Sequence, residues 1–482
     1  MKTNLNVDTQ ALREKILDLA MRGKLVEQDA GDEPASVLLE KIKAEKAELV
    51  KEGKIKKSKK LPEITEDEKP FDIPDCWEWV RLGDMLIPEK SKAPTKNFVY
   101  IDIASIDNKV NEIIDPKTIN VSKEKVPSRA RMVVEPGDIL FSLVRPYLRN
   151  IAIVPVSDSN LVASTGFYVI KPINIIDFKY IFYTVLSDYV VNGLTRKYMK
   201  GDNSPSVKKG DIQNYPIPLP PLAEQKRIAN KVSELFKQVD IIEKNVAEYQ
   251  GLEQAMRSKL LDLAMRGKLV EQDPSDEPAS ELVKQIQAEK AELVKVGKIK
   301  KSKKLPEITD DEKPFDIPDS WEWVRLGDVV FNYDGMRIPL SISDRKNREK
   351  IYDYYGASGV IDKVDTYLFD RTLLLISEDG ANLIARNKPI AFLATGKYWV
   401  NNHAHVVDGV DISLLTFISL VINGMNISDY ISGTAQPKLT QANLNRLPIP
   451  LPPLAEQKRI ADKLTRLFED LDTIKQNLTT VS

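Results

Sequence analysis

Between Leu222 and Met265 no proline interrupts the chain, and one line of positions recurs in alternating steps of four and three residues. It runs Ile228, Val232, Leu235, Val239, Ile242, Val246, Tyr249, Glu253, Met256, Leu260 and Leu263, and only Glu253 breaks its apolar character. That period is a heptad seam and predicts one helix of about 44 residues, ~66 Å long at 1.5 Å per residue. Pro221 suits a first turn, where its missing N–H costs nothing, and Glu224 and Gln225 place acceptors near the positive end of the helix. A second seam, Ile460, Leu464, Leu467, Leu471 and Ile474, continued by Leu12, Ile16 and Leu19, predicts a composite partner paired antiparallel with the first helix. Plain packing is the simplest reading of either seam. A shorter helix opens at Pro278, shows one face through Leu282, Ile286 and Leu293, and ends at Gly297.

The same letters occur twice. Ile16–Asp84 returns as Leu260–Asp328 with long identical pieces, "DLAMRGKLVEQD", "AEKAELVK", "GKIKKSKKLPEIT" and "WEWVRLGD" among them, and Pro216–Ala229 returns unchanged as Pro448–Ala461. Joining the chain ends would reproduce the central order of blocks, so the sequence is a cyclic duplication and predicts a pseudo-twofold object. The basic runs Lys54–Lys60 and Lys298–Lys304 read as solvated linkers or as phosphate contacts.

Between the repeated blocks lie two inserts, Met85–Tyr215 and Val329–Leu447, whose letters differ but whose patterns correspond. In the first, apolar "GDILFSLV", polar "RPYLRN", then "IAIVPV" and "ASTGFYVI" match "TLLLI", "SEDGANLIARNK", "PIAFLA" and "VNNHAHVV" in the second. A helix, "FKYIFYTVLSDYVV" or "LLTFISLVINGM", follows in each, and then a glycine-bearing polar loop, "MKGDNSPSVKKG" or "ISGTAQPKLTQA". The expectation is one strand-rich fold carrying two sets of loops, an α+β chain in all. Loops on a rigid scaffold are common recognition surfaces, and these carry the side chains that hold phosphates and read base edges, although solvated loops use them too.

Composition narrows the function. With 70 basic and 71 acidic residues among 482, the chain as a whole has no field to draw it onto a polyanion, so nucleic-acid contact falls to local patches or a partner. One cysteine, Cys76, excludes an internal disulfide framework. The opening "MKTNLNVDTQALREK" has no apolar leader core, and no run reaches the ~18 apolar residues of a membrane span, so the cytoplasm is expected. Phosphate-loop, dinucleotide-binding and H-E-x-x-H motifs are absent, as are the Asn/Asp-Pro-Pro-Tyr/Phe and cofactor loops of amino-methyltransferases. The two histidines, His403 and His405, are expected on one side of a strand; no third metal ligand stands near them, which favours stacking, base contact or packing. A coiled-coil scaffold whose inserts bind proteins, or a nuclease fused to a dimerisation frame, remains an alternative, but Asp362, Asp365 and Asp370 give the latter little support.

"WEWVRLGD" at the start of each insert, "PIPLPPLAEQKRIA" at its end and the helical "LREKILDLAMRGKLV" resemble the specificity subunits of type I restriction-modification systems. Insert segments "SRARMVVEPGDILFSLVRPYLRN", "STGFYVIKP", "YYGASGVIDKVDTYLF" and "NNHAHVV" extend the resemblance over nearly the whole chain. It implies a non-catalytic subunit with two target-recognition domains at 71–221 and 315–453, each reading half of a split double-stranded DNA site. Helical regions at 1–70, 222–314 and 454–482 would separate them. Two methyltransferase subunits and two restriction subunits are the implied partners; S-adenosylmethionine, ATP and magnesium would be theirs, with no cofactor on this chain and adenine's exocyclic nitrogen as the methylated atom.

Loop position and side-chain type select candidate DNA contacts. In the first insert they are Arg129, Arg131, Arg145, Tyr147, Arg149, Ser164, Thr165, Arg196 and Lys197, and in the second Arg337, Arg345, Tyr355, Ser358, Asn382, Arg386, Asn402, His403 and Gln436. The heptad seam also predicts a ruler. A four-residue insertion near Gly251 adds ~6 Å of helix, so it should lengthen the unread spacer by about one or two base pairs while both half-sites stay unchanged. Mapping the sites modified by that variant in a library of spacer lengths checks this, and an unchanged spacer in an active complex contradicts it.

Overall fold

The computed structural model describes residues 7–57, 59–301 and 303–480. The first six residues, part of the segment read above as lacking a leader core, lie outside them. The chain separates into two compact units, Val7–Val246 and Ala247–Ser482. The division falls within a single helix, Leu222–Met265, whose bounds match the proline-free heptad stretch.

In the first unit, Thr9–Met21 is a helix capped by Asp8, whose carboxylate accepts from the Ala11 N–H at 2.9 Å. It buries Leu17, Ala20 and Met21. That is not the seam expected from the sequence: Leu12 is exposed and Ile16 and Leu19 are only half-buried, because the helix turns its apolar stripe toward the insert core. The helix runs antiparallel to the start of Leu222–Met265. Arg13 stacks over the Phe236 ring at 5.1 Å and pairs with Asp240, and Thr9 bonds Glu243 at 2.5 Å.

The second unit repeats the pair. Arg257 lies 5.0 Å over Phe468 and 2.5 Å from Asp472, and the helix Leu454–Thr480 runs antiparallel to the end of Leu222–Met265. Glu253, the polar break in the seam, meets Lys475 at 3.1 Å with both side chains nearly buried, and the neighbouring Ile474 is exposed. The break is therefore an ion pair and not a packing fault.

"DLAMRGKLVEQD" owes its repetition to what it touches. Gly23, in the left-handed region at φ 64°, closes the first helix where an added Cβ would lie 2.5 Å from Pro74 Cγ, and Gly267 at φ 65° meets Pro318 at the same distance. Five residues on, Gln28 donates to Glu224 at 2.5 Å, and Gln272 donates to Glu456 at 2.5 Å. The helices Ala35–Lys51 and Ala279–Lys295 follow, as expected from the second helical pattern. The basic runs after them form neither helix nor strand among the described residues.

Each insert is closed by a two-stranded antiparallel ribbon, Glu78–Arg81 with Pro216–Leu219 and Glu322–Arg325 with Pro448–Leu451. Prolines suit these strands because a two-stranded ribbon leaves one edge free of ladder bonds. Above the ribbon the inserts share one topology. The first has a sheet ordered Ala130–Val133, Leu161–Ser164, Phe98–Ile101, Lys117–Ile119, with Lys90–Ser91 added at its edge, and the second has Phe369–Asp370, Lys397–Val400, Tyr352–Gly356, Gly359–Val364. In both, the pairing of the second and third strands of this order is parallel, Leu161 opposite Val99 and Asp353 opposite Tyr398. A second sheet places Ile139–Ser142 between Phe167–Ile170 and Ile151–Ile153, and correspondingly Leu373–Ser377 between Ala404–Asp408 and Ala391–Ala394. Here the two-loop-set reading of the inserts meets its structural counterpart. The helix expected in "FKYIFYTVLSDYVV" is split at Ser187, which ends Phe178–Leu186 and caps Asp188–Tyr198 by accepting from the Val190 N–H.

A buried arginine ties each linker to its ribbon. Arg81 forks onto Glu68 at 2.6 and 3.0 Å and also donates to the carbonyls of Pro62, Glu63 and Asn214; Arg325 does the same with Glu312, Pro306, Glu307 and Arg446. The hydrogen bonds from Arg81 draw Glu68 down to about 2, and those from Arg325 draw Glu312 down to about 2. Since the folded values are depressed, this stabilisation is complete above the ordinary value of 4.5 and is lost as pH falls toward 2. A Glu68→Gln, Glu312→Gln double variant should therefore be less stable at neutral pH and show a flatter acid limb in denaturant titrations between those two pH values. An acid limb as steep as that of the parent would contradict the latch.

Candidate nucleic-acid interface

Three loops converge at one end of the second sheet in each insert, held by the same backbone bonds. In the first, the Leu143 N–H donates to Gly166 O, the Val207 N–H to Leu143 O and the Arg145 N–H to Pro205 O; in the second, Glu378 donates to His403 O, Leu439 to Glu378 O and Gly380 to Pro437 O. Gly201 and Gly433, at φ 106° and 84°, turn the third loop back on itself, where Lys200 pairs with Ser206 and Ser432 with Lys438. Loop residues can therefore be matched one to one, Arg145 with Gly380, Thr165 with Asn402, Gly166 with His403 and Ser204 with Gln436. The scaffold is common and the exposed side chains are not.

In the first insert this end presents Arg145, Tyr147 and Thr165, with Arg129 adjacent because its carbonyl accepts the Thr165 N–H at 2.9 Å. Arg145 is left-handed at φ 49°, and its guanidinium steadies the third loop through Asn203 O at 3.1 Å. Arg131 lies exposed on the neighbouring strand Ala130–Val133. Arg196 is exposed at the end of the helix that leads into the third loop, whereas Lys197 turns toward Glu68 at 3.8 Å. Ser164 is fully buried, and its hydroxyl accepts from the Gly166 N–H.

The second insert presents Ser358, Asn402, His403 and Gln436. Beneath them lies a network of charged side chains. Arg337 donates to Glu378 at 2.6 Å and to Ala404 O at 2.8 Å, Lys438 approaches Glu378 at 3.2 Å, and Asp334 meets His405 at 2.7 Å. Burial pushes the Glu378 and Asp334 carboxyls up, but hydrogen bonds and charge from Arg337 and His405 bring both below their ordinary values. His405 spends its other ring nitrogen on Leu439 O at 2.8 Å, so it is a satisfied core residue. The two histidines do not share one side of a strand, contrary to the expectation from alternation, because His403 belongs to the turn before the strand.

Several residues selected by type are occupied inside the fold. Arg149 and Arg386 are left-handed, at φ 54° and 51°, and each reaches the carboxyl end of the helix that packs beside it. Arg149 donates to Leu186 O at 2.8 Å and pairs with Asp188; Arg386 donates to Ile422 O at 3.0 Å and Met425 O at 3.3 Å. A guanidinium placed there satisfies orphan carbonyls and complements the helix dipole. Asn382 staples its own loop through both backbone groups of Lys388, and Arg345 packs on Tyr354 and pairs with Asp362 at 2.9 Å. Tyr355 stacks against Phe392 of the other sheet, with ring centroids 6.0 Å apart. Lys200, Asn203 and Ser204 are exposed in the third loop and were not selected; the shared Gly201 and Gly433 are the sequence signal that aligns them with Gln436.

Comparison with known proteins fits this arrangement. The family model for the type I restriction modification DNA specificity domain matches twice, at residues 74–249 and 318–481. The chain belongs to that family. It is a specificity subunit with two target-recognition domains, and its role is recognition, not catalysis. Two Escherichia coli relatives are the type I restriction enzyme EcoEI specificity subunit, 32% identical over 97% of this chain and 90% of its own length, and the EcoAI specificity subunit, 31% identical over 96% and 90%. The crystal structure of the HsdS subunit from Thermoanaerobacter tengcongensis matches with TM-score 0.55 at 26% identity, covering 86% of this chain and 96% of that one. A chain from a structure titled for assembly and conformational transition of the type I R-M system matches with TM-score 0.58 at 27% identity over 86% and 95%. Among the described residues of this specificity subunit, no helix is long and apolar enough to cross a membrane.

Position separates two classes of arginine, and substitution should separate them too. Arg145→Ala should weaken binding by about 1–3 kcal/mol and relax one position of the site, with folding stability little changed. Arg386→Ala should instead cost about 1–3 kcal/mol of stability by stranding helix carbonyls, and leave the preferred sequence as it was. Parallel thermal melts and binding selections on both variants check the division, which fails if Arg386→Ala alters specificity in a stable protein.

Proposed function

We propose that this subunit reads a bipartite double-stranded DNA site, one insert per half, while two methyltransferase subunits dock on the duplicated frame and two restriction subunits join through them. One observation carries the reading: the frame makes the same contacts in both units, around inserts of one topology whose exposed loop residues differ. Equivalent frames suit two copies of one partner. Different loops suit two different half-sites.

The assignment gives the recognition role to 71–221 and 315–453 and the docking role to 1–70, 222–314 and 454–482. S-adenosylmethionine, ATP and magnesium belong to the partners in this scheme, as does flipping of the adenine whose exocyclic nitrogen is methylated. Balanced charge, 70 basic against 71 acidic residues, suits a reader that shares phosphate contact with those partners. A cytoplasmic complex is the corresponding setting.

Exchange of Met85–Tyr215 for the corresponding segment of a relative tests the proposal, since the ribbon Glu78–Arg81 with Pro216–Leu219 closes the insert at both ends. The hybrid should modify DNA at a site changed in one half only, read by sequencing the methylated positions. A hybrid that alters both halves, or that keeps the original site, contradicts one reader per half-site.

A further inference from the structure

His403 is held at three points. Its N–H donates to Asn401 Oδ1 at 2.8 Å, its carbonyl accepts from the Glu378 N–H at 2.9 Å, and its Nδ1 lies 2.8 and 3.0 Å from the two carboxylate oxygens of Asp379. Asn401 is 4% exposed, so the turn is anchored in the core. An ionised carboxylate only accepts, so the ring carries a proton on Nδ1, and in the neutral form of the ring the lone pair is the one on Nε2. The His403 side chain is 48% exposed, and Nε2 has no hydrogen-bond partner among the described residues. The fold therefore fixes not only the ring but also which face of its chemistry meets solvent.

The first insert offers no counterpart. Gly166 makes the same two backbone bonds, to Ser164 Oγ at 3.2 Å and from Leu143, yet a Cβ there would lie 2.9 Å from Ile103 Cδ1. A side chain at this point is thus a property of the second loop set, where sequence-specific contacts belong, and not of the shared scaffold.

We infer that His403 is a preset hydrogen-bond acceptor that reads a base amine in the major groove, the N6 of adenine or the N4 of cytosine, with Asp379 as its positioning residue. The inference rests on the second insert being a DNA reader. In the major groove only adenine and cytosine present amine donors, whereas guanine and thymine present acceptors that a lone pair on Nε2 repels. Asn402, Ser358 and Gln436 flank the position as further exposed groups at the same end of the insert.

The test uses the complex assembled with its methyltransferase partners, at about pH 8, where an ordinary imidazole is neutral. Each adenine and cytosine of the second half-site is replaced in turn by purine or pyrimidin-2-one, which lack the amine. Parent protein should lose about 3- to 10-fold in affinity at one position coupled to His403. His403→Ala should lose a similar factor on natural DNA and nothing more on that analogue; whether the coupled base is adenine or cytosine identifies the amine. Because the chain holds two histidines, selective nitrogen-15 labelling gives a second readout. His403 should show a proton on Nδ1 in the parent, and Asp379→Ala should release the tautomer and lower discrimination at the same base pair. Failure of any analogue to couple to His403, or a uniform loss on all sequences with an altered salt slope, overturns the inference in favour of a structural or phosphate role. Scrambling the whole second half-site separates the levels. If binding survives scrambling, the reader assignment falls with it; if binding is lost and no analogue couples, only the role of His403 falls.

Discussion

A buried carboxylate at the start of a helix seats each half of the frame on its insert. Glu224 accepts from the Trp77 indole at 2.8 Å and from Gln28 at 2.5 Å; Glu456 accepts from Trp321 at 2.9 Å and from Gln272 at 2.5 Å. Both carboxylates are fully buried, and burial pushes both upward against the hydrogen bonds that hold them down. A charge-accepting group this deep is costly unless every partner is in place. The indole comes from the residue just before the strand that opens the insert, the amide from the segment after the repeated "RGKL", and the carboxylate from the helix that follows the insert. Three segments distant in sequence must therefore arrive together, and the letters that supply them are those the chain keeps twice.

Much of this was legible in the sequence. The long helix was readable because nothing in Leu222–Met265 breaks it, and the duplication because its blocks are nearly identical. The face of Thr9–Met21 was not readable: extending the seam of Leu454–Thr480 through the cyclic join chose Leu12, Ile16 and Leu19, while the insert core, built from residues far along the chain, claims Leu17, Ala20 and Met21. Packing decided between two adjacent stripes that periodicity alone leaves nearly equivalent.

The loops teach a related point. Arginine is a residue type that reads bases, yet Arg149 and Arg386 are each followed by asparagine, "RN" at the same place in both inserts. Letters shared by two domains that differ in their exposed loops belong to the scaffold, and the left-handed backbone of both arginines with their helix-end carbonyls accounts for the sharing. Letters that differ at matched positions, such as Gly166 against His403 or Arg145 against Gly380, are the better guide to recognition. Type of side chain gave candidates; the comparison of the chain with itself sorts them.

Such a division of labour lets loops change while the frame stays fixed, since the buried carboxylates, ribbon arginines and helix pairs lie outside the loop tips. In that division, two independent readers act within one chain. Sequencing the DNA methylated by the parent complex tests that most directly. The expected result is one motif made of two specified blocks flanking an unspecified gap of constant length, with adenine methylated in each block. A single contiguous motif, or two blocks separated by gaps of freely varying length, would contradict it.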